Sequence, residues 1–425
     1  MNETIIVFHI GELITVRGPN RLRKGSEMDQ VETIKNGYVV VRDGFFCDIG
    51  GGEGFRAYEG RDVIMIDGTG LTVTPGLIDS HTHLVHAGSR EHEFHQKIKG
   101  VSYLDILKQG GGILHTVKKT REASFEDLMK QARKSLKTML CYGTTTIEAK
   151  SGYGLNMETE MKQLQVAQRL AQLYPVEIHH TFLGAHAIPT EYKNNKAGFL
   201  RELEIMLEEV WKSGLAEFCD VFCEEGVFSI SEARDLLSKA KKLGYGLKIH
   251  ADEIIPLGGA GLACELGCIS ADHLMASTEE DMKKMANSGV VANLLPLTSF
   301  SLNKDFAKAR MMIEAGCGLA ISTDYNPGSS PSENLQLAMQ IASMKMRLTP
   351  KEVITAVTIN AAYSIRQEHR IGSIEVGKEA DFVLFDCPNL DYLIHHFGIN
   401  HVKDVYKKGK NVVLNQKNVF EEEKI

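Results

Sequence analysis

The stretch PGLIDSHTHL, residues 75–84, introduces the pattern that most of the chain repeats. It is a short apolar run, typical of a buried β-strand, and it ends in two histidines separated by one residue. Similar runs recur along the sequence, and segments with a helical period separate them. The eight runs are LID before His81, TTTIEA (144–149), EIHHTFLGA (177–185), DVFCE (220–224), GLKI (246–249), ISAD (269–272), VVANLL (290–295) and LAIST (319–323).

Eight alternating strand and helix units predict an α/β fold, a TIM-like (β/α)8 barrel. The helical segments carry their own signals, which are the shared face of Leu128, Ala132, Leu136 and Leu140 and the capping box Thr349-Pro350-Lys351-Glu352. The alternative is an open, doubly wound parallel sheet. That fold usually has fewer strands and needs a glycine-rich dinucleotide turn, which this sequence lacks.

Both ends of the chain are rich in short β-like runs. The runs lie at 4–10, 38–42, 45–49 and 63–66 and again at 381–386, 402–406 and 411–415. Asp43-Gly44 and Asp67-Gly68 favour hairpins, and residues 407–410 form a further turn. Because neither end has enough strands to be stable alone, we expect the two ends to associate into one small β-sandwich. The predicted domains are residues 1–74 and 371–425, the two halves of the sandwich, and residues 75–370, the barrel.

Composition excludes several classes of protein. The 425 residues are 43% hydrophobic and carry a net charge of -7, so no basic surface for nucleic acid is expected. No apolar run approaches the roughly 20 residues that span a bilayer, and the start lacks the basic segment of a secretory signal. The eight cysteines contain no C-x2-C pair, which favours reduced thiols. We therefore expect a cytoplasmic protein without a nucleic-acid or membrane partner.

Histidines and a carboxylate follow several of the predicted strands. In a (β/α)8 barrel the carboxyl ends of the strands line one mouth, where His81, His83, His250, His273 and Asp324 would meet. Imidazole and carboxylate ligands suit a divalent ion such as Zn²⁺ or Fe²⁺, with a position left for water. Lys150, after the second run, is a candidate for carbamylation that would bridge two metals, but a single ion is the simpler prediction.

Longer motifs resemble the amidohydrolase superfamily of metal-dependent hydrolases. They are PGLIDSHTHL, KIHADE (248–253), SADHL (270–274), STDYNPGSS (322–330) and GKEAD (377–381). The segments HTHLVHAGSRE (81–91), KSGYGL (150–155), LGAHAIP (183–189) and TDYNPGSSPSENLQ (323–336) are similar to one branch, whose members open the ring of 4-imidazolone-5-propanoate in histidine degradation. This resemblance extends from near residue 4 to near residue 415.

The resemblance implies a β-sandwich combined with a barrel, a homodimer and one Zn²⁺ or iron ion per subunit. The implied reaction uses metal-activated water to hydrolyse the cyclic amide C–N bond of the small-molecule substrate, which gives N-formimidoyl-L-glutamate. The implied metal ligands are His81, His83, His250 and Asp324. The residues implied around the substrate are Arg90, Tyr153, His186, Glu253, Asn326, Gly328 and Ser329.

Chemistry suggests a role for several of these residues. The planar guanidinium of Arg90 suits the propanoate carboxylate, which it can hold through two parallel hydrogen bonds. Asp324 is the candidate general base, and His273 is the candidate group that holds the carbonyl oxygen. Glu253 either donates a proton to the leaving nitrogen or hydrogen-bonds the ring N–H, and the sequence leaves both roles open.

Two other functions compete with ring opening. The first is deamination of a purine or related amino-heterocycle, which similar residues support on the same barrel. Arg90 argues against deamination, because an arginine at this place suits a substrate with a carboxylate tail. Immediate release of ammonia would reveal a deaminase. The second is a metal-free barrel that serves only as an assembly module, which would be expected to lose several ligands. All four candidate ligands are present here.

Overall fold

The computed structural model describes residues 4–101 and 111–420. The chain begins with five strands, β1 (Thr4–Ile14), β2 (Thr33–Arg42), β3 (Phe45–Gly51), β4 (Val63–Asp67) and β5 (Thr72–Pro75). Asp43 and Gly44 join β2 to β3 in the predicted hairpin, and both have positive φ angles, 53° and 83°. The second predicted hairpin, at Asp67-Gly68, is wrong. Both β4 and β5 pair in parallel with β1, one after the other along the same side, so the chain between them continues without reversing.

Eight parallel strands then form the barrel. They are β6 (Leu77–Thr82), β7 (Thr144–Lys150), β8 (Glu177–Ala185), β9 (Phe218–Cys223), β10 (Gly246–Ala251), β11 (Ser270–His273), β12 (Val291–Leu294) and β13 (Leu319–Ile321). Each corresponds to one of the predicted runs. The first and last strands meet through backbone bonds from Asp324 to His81 (3.1 Å) and from His83 to Tyr325 (2.8 Å). The predicted (β/α)8 barrel is therefore confirmed.

Helices surround the barrel, and apolar side chains of strands and helices pack between the two layers. Leu128, Ala132, Leu136 and Leu140 are all buried on one helix, as predicted. Thr349 and Glu352 form the predicted capping box, with Pro350 at the first helical position. The described helices are α1 (Glu91–Ile98), α2 (Ile113–Glu122), α3 (Phe125–Cys141), α4 (Met157–Leu173), α5 (Lys196–Ser213), α6 (Ile230–Leu243), α7 (Gly259–Leu266), α8 (Glu279–Ala286), α9 (Pro296–Leu302), α10 (Ala309–Ala315), α11 (Leu335–Met346), α12 (Pro350–Ala356), α13 (Ile359–Ser364) and α14 (Leu390–His395).

The last strands are β14 (Phe382–Phe385), β15 (Val402–Lys407), β16 (Lys410–Leu414) and β17 (Lys417–Asn418). They join the first strands in a single nine-stranded sheet, and β5 forms the junction. Val73 of β5 pairs with Leu13 of β1 on one side and with Leu384 of β14 on the other. The predicted association of the two chain ends is confirmed, although the sequence did not reveal β5, the strand that makes it possible.

Apolar residues from both ends form a separate hydrophobic cluster in this sheet, which includes Ile5, Val39, Phe382 and Leu384. Within the described residues, no helix has both the length and the apolar character that crossing a membrane requires.

Candidate metal centre and active site

Three histidines and an aspartate meet at the carboxyl end of the barrel. His81 and His83 lie at the end of β6, His250 lies in β10, and Asp324 follows β13; all four are buried. Potential ligand atoms of the three histidines lie within 4.8 Å of one another. Oδ1 of Asp324 is 3.5 Å from Nε2 of His81 and 3.4 Å from Nε2 of His83. Residues more than 240 positions apart in the sequence thus share one buried site.

His273, at the end of β11, belongs to the same cluster. Its ring centroid is 5.1 Å from that of His250 and 5.6 Å from that of His81. Potential ligand atoms of His81, His273 and Asp324 also lie within 4.8 Å of one another. Both His273 and Asp324 have left-handed backbone conformations, with φ angles of 78° and 54°. Such conformations are uncommon outside glycine and cluster at functional sites.

The loop that carries Asp324 is anchored to the first barrel strand. The carboxylate of Asp79 accepts hydrogen bonds from the backbone N (3.0 Å) and the hydroxyl (2.6 Å) of Thr323. The hydroxyl of Ser330 donates to the carbonyl of Thr323 at 2.6 Å. These bonds satisfy the buried N–H, hydroxyl and carbonyl groups of Thr323 and fix the backbone directly before Asp324.

The donor set fits a divalent metal ion. Among the described residues, Nε2 of His81 and Nε2 of His250 are buried and have no hydrogen-bond partner, a costly arrangement unless another group binds them. Burial lowers the pKa of His83 to about 4 and that of His273 to about 3, so both rings are neutral at neutral pH. Neutral imidazole nitrogens and a carboxylate oxygen are the ligands that zinc and iron prefer in such sites.

Two carboxylates support these imidazoles from behind. Oδ2 of Asp272 lies 2.6 Å from Nδ1 of His81, and Oδ2 of Asp220 lies 3.0 Å from Nδ1 of His250. A carboxylate at Nδ1 fixes the proton there and leaves the lone pair of Nε2 available to a metal.

Sequence reasoning missed these carboxylates, and it missed Thr298 as well. The hydroxyl of Thr298, in α9, donates to Oδ2 of Asp324 at 2.5 Å. A signal for Asp220 and Asp272 was available, since each is a charged residue inside a predicted buried strand. Thr298 offered no comparable signal, because its contact depends on how α9 packs over the mouth.

The aromatic residues nominated from the sequence line one side of the site. The ring of His186 stacks on that of His83, with centroids 4.9 Å apart and planes at 6°. The ring centroid of Tyr153 is 5.5 Å from that of His83 and 5.3 Å from that of His186. Gly152 has a φ angle of 107°, and a Cβ there would lie 2.9 Å from Nδ1 of His186. The sequence thus needs glycine at 152 for this close approach.

Glu160 of α4 holds the loop that carries Tyr153. Its carboxylate accepts backbone hydrogen bonds from Gly152 (3.0 Å), Gly154 (2.8 Å) and Leu155 (2.8 Å). Three bonds to one buried carboxylate give this glycine-containing loop a single conformation.

Glu253, after β10, lies on the other side of the cluster. Its Oε2 is 3.7 Å from Nε2 of His273. Burial, together with repulsion from Asp324 and Glu224, raises the pKa of Glu253 to about 8. The carboxyl group is therefore largely protonated at neutral pH and is able to donate a hydrogen bond or a proton.

Arg90 and the loop 326–329 are neighbours. The backbone N of Arg90 donates to the carbonyl of Pro327 at 3.2 Å. The amide oxygen of Asn326 accepts from the backbone N of Gly328 and of Ser329, both at 2.8 Å, and its amide nitrogen donates to the hydroxyl of Ser329 at 2.8 Å. The side chain of Asn326 thus shapes the loop beside Arg90.

Solved structures share this architecture. An adenosine deaminase from Xanthomonas campestris with bound zinc aligns with a TM-score of 0.72 at 18% identity, covering 98% of this chain and 94% of that one. A triazine hydrolase variant aligns with a TM-score of 0.75 at 16% identity, covering 99% and 96%. At such identities the likeness concerns the fold.

Curated relatives are much more similar in sequence. An imidazolonepropionase of Fusobacterium nucleatum subsp. nucleatum is 54% identical over 413 residues, which cover 97% of this chain and 99% of the relative. An imidazolonepropionase of Streptococcus pyogenes is 49% identical over 411 residues, covering 96% and 98%. These names confirm the branch that the motifs indicated.

A family model described as "Amidohydrolase family" matches residues 72–412. This range spans the whole barrel and continues through β14 and β15 of the sheet. The match and the two relatives, which are 54% and 49% identical to this chain, together show its family. The chain belongs to the amidohydrolase family and, within it, to the imidazolonepropionases.

Proposed function

We propose that the chain hydrolyses the cyclic amide C–N bond of 4-imidazolone-5-propanoate to N-formimidoyl-L-glutamate, a step in the degradation of histidine to glutamate. The chain is a hydrolase of cyclic amides, in keeping with its family and with full-length relatives named imidazolonepropionase. The observation that carries the proposal is the buried meeting point of His81, His83, His250 and Asp324 at the mouth of the barrel. The relatives favour this reaction over the deamination of an amino-heterocycle.

In this proposal one Zn²⁺ or iron ion per subunit is held by His81, His83, His250 and Asp324. When bound, such an ion lowers the pKa of water and polarises a carbonyl oxygen. The charge state of Lys150 favours one ion over two, because a carbamate that would bridge two metals forms only from a neutral amine. Burial lowers the pKa of Lys150, but Asp220 and Glu148 outweigh burial and raise it well above its usual value. The side chain therefore stays an ammonium.

The remaining groups move protons. Asp324, held at Oδ2 by Thr298, takes a proton from the attacking water. The water oxygen bonds to the carbonyl carbon while neutral His273 donates a hydrogen bond to the carbonyl oxygen. The ring C–N bond then breaks, and the protonated carboxyl of Glu253 supplies the proton that the leaving nitrogen needs. The new carboxyl group passes its remaining proton to the carboxylate of Glu253, and Asp324 releases its proton to solvent. The products are a carboxylate and an intact formimidoyl group.

The residues that bind the substrate lie around the candidate metal centre. Arg90 binds the propanoate carboxylate through its guanidinium, beside the loop formed by Asn326, Gly328 and Ser329. Tyr153 and His186 contact the imidazolone ring from the side of His83. Support comes from burial, since Arg90 is only 8% exposed and a buried guanidinium requires an anionic or polar partner.

The experiment is an ultraviolet assay with freshly prepared imidazolonepropanoate, because the absorbance of the conjugated ring disappears on opening. We expect turnover that stops with chelator and returns with added Zn²⁺ or Fe²⁺. Metal analysis of the same sample gives the stoichiometry. Full activity in metal-free protein would overturn the metal role, and immediate release of ammonia would indicate a deaminase.

We also propose a cytoplasmic homodimer whose sandwich halves are residues 1–74 and 371–425 and whose barrel is residues 75–370. The net charge of -7 and eight free cysteines support a reducing compartment and no nucleic-acid partner. The step from β5, which ends at Pro75, to β6, which begins at Leu77, supports the first boundary. Light scattering on the purified chain tests the dimer.

A further inference from the structure

Five charged side chains are buried inside the barrel below the candidate metal centre. They are Glu148, Lys150, Asp220, Lys248 and Asp272, and each has a side-chain exposure of 0%. Buried ion pairs seldom add stability over apolar side chains of similar volume, since each ion loses several kcal/mol of hydration. The presence of this cluster therefore indicates a role beyond filling the barrel.

Lys150 lies at the centre of the cluster. Its Nζ is 2.7 Å from Oε1 of Glu148, 2.8 Å from Oδ2 of Asp220 and 3.6 Å from Oδ2 of Asp272. One ammonium group thus lies close to carboxylates from three different strands, β7, β9 and β11.

Two of these carboxylate oxygens are the ones that contact the metal-site histidines. Oδ2 of Asp272 is 2.6 Å from Nδ1 of His81, and Oδ2 of Asp220 is 3.0 Å from Nδ1 of His250. The ammonium therefore contacts the oxygen behind each of two imidazoles that have a free Nε2 among the described residues.

We propose that Lys150 is a positioning residue that orients His81 and His250 together, through Asp272 and Asp220, for binding of the metal ion. The inference rests on the proposed metal site. The ammonium holds both carboxylates ionised and in place, so each keeps its contact with Nδ1 and directs Nε2 to the ion. Without that charge, two carboxylates facing the same space repel each other, and at least one has to turn away or bind a proton.

Lys248 provides a matched comparison inside the same cluster. Its Nζ is 2.9 Å from Oε2 of Glu148, the one carboxylate of the three that pairs with no histidine in the described residues. Lys248 also lies over the ring of Phe218, 5.0 Å from the centroid. Removing Lys248 thus changes the buried charge as much as removing Lys150 does, but it leaves both carboxylate–histidine pairs in contact with an ammonium.

The test compares two double variants that each remove one buried positive and one buried negative charge. They are Lys150→Met/Glu148→Gln and Lys248→Met/Glu148→Gln. Metal dissociation constants are measured by chelator competition with Zn²⁺, and visible spectra are recorded after Co²⁺ loading to report the geometry of the ligands. Circular dichroism of the metal-free proteins establishes that both variants are folded.

The double variant Lys150→Met/Glu148→Gln is called the Lys150 pair, and Lys248→Met/Glu148→Gln is called the Lys248 pair. We expect the Lys150 pair to bind Zn²⁺ about 10–100-fold more weakly than the unmodified chain, because this is the usual effect of losing a group that supports a metal ligand. Its Co²⁺ spectrum should also change, whereas the Lys248 pair should keep the original spectrum and bind Zn²⁺ within about threefold. Equal affinities and unchanged spectra in both pairs would overturn the inference.

A third variant covers the case in which methionine at 150 prevents folding. Lys150→Gln/Glu148→Gln keeps a hydrogen-bond donor in the barrel but removes the charge, and we expect the same loss of Zn²⁺ affinity. If it binds Zn²⁺ as tightly as the Lys248 pair, the inference is wrong. If the unmodified chain itself binds no metal, the proposed function fails instead, and the two failures are thus distinguishable.

Discussion

The guanidinium of Arg90 occupies the space that a side chain at position 328 would need. A Cβ built on Gly328 would lie 1.1 Å from Nη2 of Arg90 and 1.6 Å from its Cζ. The guanidinium therefore lies against the bare backbone of the loop that follows Asp324. Any residue larger than glycine at 328 has to move either this loop or Arg90.

Gly328→Ala should therefore weaken substrate binding. The added methyl displaces the guanidinium from the place where it would hold the propanoate, and losing a hydrogen bond to a charged group costs about 1.5–3 kcal/mol. We expect KM to rise roughly tenfold or more, with a smaller change in kcat. Gly60→Ala is the control, because a Cβ there meets only Val63 at 3.7 Å. An unchanged KM in Gly328→Ala would contradict the role given to Arg90.

Thr298 should matter through its hydroxyl. Thr298→Val keeps the shape of the side chain but removes the hydrogen bond to Oδ2 of Asp324. Because the released carboxylate is buried, we expect kcat to fall about tenfold and Zn²⁺ to bind more weakly. Thr298→Ser retains the hydroxyl and should stay within about threefold of the unmodified enzyme. Steady-state kinetics and chelator competition measure both effects; a valine variant as active as the serine variant would refute this prediction.

The sequence predicted the barrel because each buried strand is a local signal, a short apolar run whose last residues are polar. The clustering of the candidate metal ligands followed from the same pattern, since parallel strands bring their carboxyl ends together. The supporting residues could not be predicted in this way. Asp220 contacts His250 across 30 positions and Thr298 contacts Asp324 across 26, and only tertiary packing brings each pair together.

The junction strand β5 was missed for a related reason. It has four residues, Thr72–Pro75, too few for a period to be recognised. It forms a strand because it pairs with both β1 and β14, and β14 lies more than 300 positions away in the sequence. The wrong hairpin at Asp67-Gly68 has the same origin, because a turn dipeptide does not specify which strand the following residues will join.

His273 and Glu253 should affect turnover without removing the metal. His273→Ala removes the proposed donor to the carbonyl oxygen, and Glu253→Gln removes the proposed source of the proton for the leaving nitrogen. Each should lower kcat about 10²–10⁴-fold, the usual range for general acid–base groups. Metal analysis should still find the ion in both variants, whereas His81→Ala should lose metal and activity together. Full activity in His273→Ala would exclude that residue from the mechanism.

Metal removal should lower the stability of the fold. An ion that binds only the folded chain stabilises it by about 2.7 kcal/mol at 100 times its Kd. Chelator-treated protein should therefore melt several degrees lower and recover when Zn²⁺ is added back. Asp324→Ala should weaken this response, because it removes the carboxylate between His81 and His83. A melting temperature that changes with neither chelator nor Zn²⁺ would argue against a resident ion.

The opposite end of the barrel contains a histidine whose charge should make stability depend on pH. Nε2 of His179 is 2.9 Å from Oε1 of Glu177, and Nδ1 is 3.1 Å from Oε1 of Glu217. Burial lowers the pKa of His179, but hydrogen bonds to these two carboxylates outweigh burial and raise it to about 9. Arg370 and Lys407 face Glu177 from the last part of the chain, and both stay charged across the relevant range.

Because the folded pKa lies above the unfolded value of about 6.5, the stabilisation from His179 is complete below pH 6.5 and is lost as pH rises through 9. Screening at the half-exposed Glu217 reduces it to about 1–2 kcal/mol. The melting temperature of the unmodified chain should therefore fall between pH 6 and pH 9.5. The melting temperature of His179→Gln should fall by less over the same interval. His180→Gln is the control, since burial lowers the pKa of His180 to about 4 and keeps it neutral throughout. Equal falls in all three proteins would show that His179 does not retain its proton in the folded state.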